Sequence, residues 1–274
     1  MQNKEASQSI LYIFADGAKG DADSKAVAEV RDYIKNLSGF KKIIIEEHSK
    51  NKGLANSIIS GVAKVINEHG RVIVVEDDLK LSPFFLQYMN EGLSVYENEP
   101  KVASIHGYTY PVEAALPETY FLRGADCWGW ATWKRAWSKF EPSSQKLLQQ
   151  IVDSNLETIF DFDGYAGNIK MLKNQSRGKI DSWAIRWHAS TFLADMCTLY
   201  PGKSLVQNTG MDGGGTHSSA TDVFSVELYN MPIKIVQKEV KVEDEVYDAI
   251  KAYHKSKRKN YFTAVMGKIK KIFF

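Results

Sequence analysis

Three carboxylates stand in a row at Glu76, Asp77 and Asp78, directly after the apolar run 72–75 in "VIVVEDD". Adjacent anions repel, and the repulsion grows where a neighbouring core excludes water. A hard divalent cation relieves it, because Mg2+ and Mn2+ prefer oxygen ligands and are often held by one or two carboxylates plus substrate phosphates. The trio therefore reads as a place to hold a metal and, through it, a diphosphate. The structural alternative is a solvated strand end in which Asp78 caps the next element. Two more D-x-D patterns occur, at Asp21–Asp23 and Asp161–Asp163. The first precedes a helical pattern and is explained by capping, and the second follows no clear strand. Only at 76–78 does an apolar run fix the carboxylates on a rigid element.

The elements around the trio follow from periodicity. Ile10–Ala15 is a short apolar run rich in strand formers that ends on an Asp-Gly turn signal. Asp23 or Ser24 caps a helix running to about Leu37. Ile43–Ile45 is a second strand, and Gly53–Glu68 is a helix with Leu54, Ile58, Val62 and Ile66 spaced by four. The third strand leads into the acids. Ser82 caps a helix that has Pro83 in its first turn, and Val102–His106 is a fourth strand. Such alternation predicts an α/β domain with a mostly parallel sheet flanked by helices. Ligands of such sheets bind beyond the carboxyl ends of the strands, where Asp16 and the acids 76–78 both fall. Further on, helices are expected around 143–153 and 183–195. Trp130, Trp133 and Trp137 sit at helical spacing and are read as core.

Composition narrows the classes. The chain has 274 residues, 44% hydrophobic and 25% charged, with a net charge of +2. That is ordinary for a globular protein and excludes an electrostatic nucleic-acid binder. Two separated cysteines, Cys127 and Cys197, offer no zinc pattern and suit a reducing compartment. No apolar run reaches the roughly 18 residues of a membrane span, and the polar N-terminus is no secretory signal. A cytoplasmic protein is expected. The P-loop pattern and the GxGxxG fingerprint are both absent.

"VIVVEDDLKLSPFFLQYM" resembles the metal-binding segment of GT-A-fold, nucleotide-sugar-dependent glycosyltransferases. It is most similar to the N-acetylglucosaminyltransferase I type and its bacterial relatives in surface-polysaccharide clusters. "YIFADGAK" (12–19), "NKGLANSIISGV" (51–62), "CWGWATWKRAW" (127–137), "KIDSWAIRW" (179–187) and "GMDGGGTH" (210–217) agree in the same order. The likeness covers roughly residues 10–220. It implies a GT-A, Rossmann-like fold and a UDP-sugar donor bound through Mn2+ or Mg2+. Asp78 would contact the metal, while Glu76 and Asp77 shape the site or bond the ribose and sugar. Asp16 would meet the uracil, and Asn51, Gly53 and Asn56 would lie along the nucleotide, although helix capping and close packing explain these last three nearly as well. Trp128 and Gly129 would border the donor sugar. Asp181 would be the general base of an inverting displacement, or a helix cap with Trp183 packed behind it. Gly210, Gly213, Gly214 and Gly215 would lend flexibility to a lid over the donor. His217 would contact metal or phosphate, or be merely exposed.

The chain departs from this pattern at its start. The family's usual first strand, of the type I-x-V-F-x-x-N-R, has no counterpart here, and "ILYIFADG" matches the second. The glycosyltransferase domain, residues 1–222, is therefore read as N-terminally truncated, with unpaired backbone in the sheet interior. Restoring upstream sequence should raise melting temperature and UDP affinity. Residues 223–274 form a C-terminal extension. From Lys251 onward it carries eight Lys/Arg and no acids, with apolar residues near helical spacing. This reads as a basic amphipathic helix suited to an anionic membrane surface, or as a helix packed on the body. The expected protein is a UDP-sugar glycosyltransferase acting on a glycan or lipid-linked acceptor, cytoplasmic or peripheral on the inner face of the membrane. The alternatives are a catalytically silent GT-A-like module that binds glycans or partners and, more weakly, a nucleotidylyltransferase. The latter needs a Gly-rich basic loop that the sequence does not show.

Overall fold

The computed structural model describes residues 2–210 and 223–257. Among these residues it has nine strands: β1 (Ile10–Ala15), β2 (Lys42–Glu47), β3 (Arg71–Val74), β4 (Leu79–Leu81), β5 (Val102–His106), β6 (Thr119–Arg123), β7 (Trp130–Trp133), β8 (Cys197–Pro201) and β9 (Val206–Asn208). Its α-helices are α1 (Ser24–Lys35), α2 (Leu54–His69), α3 (Phe85–Val95), α4 (Lys134–Trp137), α5 (Ser144–Asp153), α6 (Glu157–Phe160), α7 (Asn168–Ser176) and α8 (Trp183–Leu193). Residues 244–257 are also helical.

The fold is mixed α/β, but the sheet is not mostly parallel. The central sheet has the order β3-β7-β5-β8-β6. Only β5 and β8 run parallel within it; β3–β7, β5–β7 and β6–β8 are antiparallel. Two strands break the parallel arrangement: β7 runs against both its neighbours, β3 and β5, and β6 runs against β8. A parallel pair, β1–β2, stands apart, and β4–β9 forms a small antiparallel ribbon.

The tryptophan segment is a second difference. Trp130 and Trp133 lie on a strand, and only Trp137 is helical. Alternation along the strand sends them to opposite faces. Trp130 joins Trp137, Trp183 and Trp187 beneath α2, whereas Trp133 packs with Phe85, Met89 and Leu93 of α3. The central sheet is thus covered by α3 on one face and by α2, α4 and α8 on the other. All three tryptophans are core, as expected, although not on one helical face.

Helix α2 ties β1 to the central sheet. Its N-terminus lies beside the end of β1, where the Asp16 carboxylate accepts from Lys52 N and Gly53 N. Its C-terminus lies beside the start of β1, where Tyr12 Oη is 2.8 Å from His69 Nε2. Midway, a Cβ on Gly61 would stand 3.0 Å from the Phe14 ring, so the small residue permits the approach. Gly70, at φ 77°, then turns the chain straight into β3. Both strands run against α2 and hence parallel to each other. Among the described residues neither has a strand on its second edge, and none of the six apolar β1 side chains is fully buried. A continuous apolar run is characteristic of a strand covered on both faces, so β1 is less enclosed than its composition suggests.

The extension from residue 223 shares the body's cores. Ile233 and Ile235 pack with the α3 cluster, and Val246 and Ile250 pack with Tyr120, Leu122 and Tyr200. Lys238 Nζ donates to the Thr119 carbonyl at 2.6 Å. The tail beyond 257, including its apolar residues, lies outside the described residues. Among those described, no helix is long and apolar enough to cross a membrane.

Candidate active site

Strand register gathers the site. Val74, the last residue of β3, faces Trp130, the first of β7, and Trp130 also faces His106, the last of β5. The segments 75–78, 107–110 and 126–129 therefore leave the sheet at one edge. Gly107 N donates to Gly129 O at 2.7 Å and Leu205 N to Gly107 O at 2.8 Å, which brings β9 to the same edge. Gly107 and Gly129 are needed for this. A Cβ on either would fall 2.7 or 2.8 Å from Val206.

The acids sit where β3 gives way to β4. Glu76 and Asp78 are half-buried, and Asp77 is exposed. Burial, then Asp78, then Asp77 push the Glu76 carboxyl up to about 7. Burial and Asp77 also raise Asp78, against the lowering effect of Asn208. The β4–β9 ribbon clamps Asp78. Thr209 donates to its carbonyl from N at 2.8 Å and from Oγ1 at 2.9 Å, and Asn208 Nδ2 is 3.4 Å from Oδ2. A Cβ on Gly210 would stand 2.6 Å from Asp78 Oδ2. Among the described residues no group of three His, Cys, Asp or Glu converges as a ready metal site. The crowded oxygens of Glu76 and Asp78 suit a hard cation whose shell is completed by phosphates rather than by the protein alone.

Asp16, Asn51, Gly53 and Asn56 come together at the start of α2, with their polar groups already engaged. Asp16 accepts from Gly17 N, Lys52 N and Gly53 N at 2.9–3.0 Å. Burial opposes its ionisation, but these three N–H groups and His48 hold the carboxyl below its ordinary value. Asn51 donates to Gly17 O at 2.8 Å and Asn56 to Lys52 O at 2.9 Å. Gly53, at φ 79°, occupies the helix N-cap. The four residues therefore shape the turn between β1 and α2.

Asp181 is 61% exposed and pairs through Oδ1 with Arg186 Nη2 at 3.2 Å. It is not the α8 cap. Ser182 takes that role, accepting from Ile185 N at 3.3 Å. Trp183 is buried and stacks on Trp130 with ring centroids 5.4 Å apart. Gly213, Gly214, Gly215 and His217 lie outside the described residues.

The structure adds residues that sequence reasoning missed. His106 Nδ1 is 3.0 Å from Tyr108 O, and its Nε2 accepts from Trp128 N at 3.0 Å. Asp126 Oδ2 accepts from Tyr110 at 2.5 Å and Tyr200 at 2.9 Å. Burial alone would raise the Asp126 carboxyl, yet it is lowered by His106, His188 and the two tyrosine hydroxyls. The histidines are themselves pulled down by burial. The two hydroxyls lower the carboxyl whatever the imidazole charge. Cys127 is no nucleophile, because burial, Glu76, Asp126 and Asp78 all push its thiol up. Against protein-family models and against curated proteins, the chain finds no match.

Proposed function

We propose that the chain is a metal-dependent inverting glycosyltransferase of GT-A type, moving a sugar from a UDP-sugar to a hydroxyl of a glycan or lipid-linked acceptor. The carrying observation is the crowding of Glu76 and Asp78 at a strand edge shared with Asp126, Trp128 and Asn208, with the Glu76 carboxyl pushed to about 7. Half-buried carboxylates that raise one another's pKa favour a cation among them.

Asp78 and Glu76 would hold Mn2+ or Mg2+, which when bound supplies charge neutralisation for the leaving diphosphate. Asn208 and the Thr209 bonds orient Asp78 for this. Asp181 takes the acceptor's hydroxyl proton while the sugar's anomeric carbon forms its bond to that oxygen and breaks its bond to UDP. Its Oδ2 accepts from no described residue, and the Arg186 pair at Oδ1 orients it. Residues 251–257 begin the basic tail. Tyr253 and His254 are docked against Tyr110, so membrane attachment would belong to the residues beyond. Liposome sedimentation of the full chain against a 1–257 truncation tests that part.

Two observations favour a silent GT-A-like binding module instead: among the described residues β1 and β3 each lack a strand on one edge, and Asp16 is occupied by backbone N–H groups. Release of UDP from a panel of UDP-sugars, with Mn2+ and mixed glycan acceptors, separates the two readings. Turnover that disappears in Asp78→Ala and Asp181→Asn supports the enzyme. No turnover with intact UDP binding favours the module.

A further inference from the structure

Asp126 is built in an unusual way for a structural acid. A carboxylate offers about four acceptor positions on two oxygens. Here both tyrosine hydroxyls, from Tyr110 and Tyr200, go to Oδ2. Oδ1 accepts from no described residue, and Asp126 as a whole is only half-buried. The clamp is rigid. Tyr200 stacks on Tyr120 at 5.3 Å and 9°, and Tyr120 in turn bonds Thr109 at 2.7 Å. The two hydroxyls keep this carboxylate ionised, and Oδ1 retains acceptor positions that an external donor can fill.

The surroundings say which kind of donor. Trp128 lies two residues on, half-buried, with Tyr108 against its edge at 4.8 Å and Phe224 at 5.4 Å. Its amide is fixed on His106, while its indole Nε1 donates to no described residue. A rigid carboxylate oxygen beside an aromatic ring with a spare N–H matches a ligand with hydroxyls around a ring edge and C–H bonds on its face. Because Val74 at the end of β3 pairs with Trp130 at the start of β7, segment 126–129 leaves the sheet beside Glu76–Asp78, about where a sugar attached to a metal-held diphosphate would be.

We propose that Asp126 and Trp128 form a pyranose subsite in which Asp126 Oδ1 accepts hydroxyls of the sugar to be transferred, an inference that rests on the glycosyltransferase reading. Tyr110 and Tyr200 are positioning residues that aim the free oxygen. The test compares dissociation constants for UDP and for UDP-glucose, UDP-galactose and UDP-N-acetylglucosamine, in Mn2+, for wild type, Asp126→Asn and Tyr200→Phe. Asn keeps an oxygen for the two tyrosines, and retained UDP binding reports a folded site. In Asp126→Asn, UDP affinity should stay within about twofold, while at least one UDP-sugar weakens roughly ten- to a hundredfold, the range of a hydrogen bond to a charged group. Tyr200→Phe should shift the same ratio by a smaller factor. Equal weakening of UDP and UDP-sugars, or an unchanged ratio for all three, overturns the subsite alone. No UDP binding by wild type overturns the glycosyltransferase reading and the subsite with it.

Discussion

Lowering the pH from 7 to 5 tests how the 126–129 segment is held. His106 is 1% exposed and serves two partners of opposite kind, the Tyr108 carbonyl at Nδ1 and the Trp128 N–H at Nε2. Only the neutral Nδ1–H tautomer satisfies both. Burial brings its pKa from 6.5 down to about 4, against the opposing effects of Asp126 and the Tyr108 carbonyl. The unfolded chain takes up this proton as the pH falls through 6.5, whereas the folded chain resists until about 4. The stability carried by neutral His106 is therefore complete above pH 6.5 and is lost on acidification. Between pH 7 and 5 the loss is about 2 kcal/mol. His254, also brought down to about 4 by burial, loses in the same direction. Glu76 acts oppositely. Its folded carboxyl, raised to about 7, is protonated first, so its contribution grows as the pH falls. The wild-type slope mixes these effects, and the informative quantity is a difference. Urea unfolding at both pH values, for wild type and His106→Gln, should show wild type losing about 2 kcal/mol more than the variant. Equal losses would refute the assignment of a buried neutral imidazole.

Three other outcomes are expected. Gly210→Ala brings a Cβ to within 2.6 Å of Asp78 Oδ2, and should weaken Mn2+-dependent UDP binding at least ~10-fold by calorimetry with little change in melting temperature. Glu76→Gln should raise the melting temperature of metal-free protein at pH 8, because the like-charge crowding disappears, and should weaken Mn2+ binding; an unchanged melting temperature would mean the acids do not strain one another. By hydrogen exchange, amides on the edge of β1 that no described strand pairs with should exchange at least ~100-fold faster than those of β5, which has a partner on each side. Equal protection would mean that the β1 edge is covered in solution.

Local patterns made much of this legible. The runs at 10–15 and 102–106 and the fourfold spacing of α2 mark their elements, because each carries its own period. Non-local pairing was not legible. β6 and β8 are as long as β5, but their partnership joins chain segments far apart. The spacing of Trp130, Trp133 and Trp137 imitates a helix only because a four-residue strand abuts a four-residue helix. The site divides in the same way. Glu76–Asp78 is visible because three charges end an apolar run. Asp126 is invisible because its tyrosine partners lie 16 and 74 residues away, with no spacing to announce them. At the start of α8, Asp181 and Ser182 both offer capping chemistry, and only geometry assigns the cap to Ser182 and leaves Asp181 free of it.

The most direct measurement is a calorimetric titration of UDP into wild type and Asp78→Ala, each with and without Mn2+. Binding that needs both the cation and the Asp78 carboxylate is the predicted result, and it would identify the acidic strand end as a metal-diphosphate site. UDP binding indifferent to Mn2+ and to Asp78, or no binding under any of these conditions, would contradict the account.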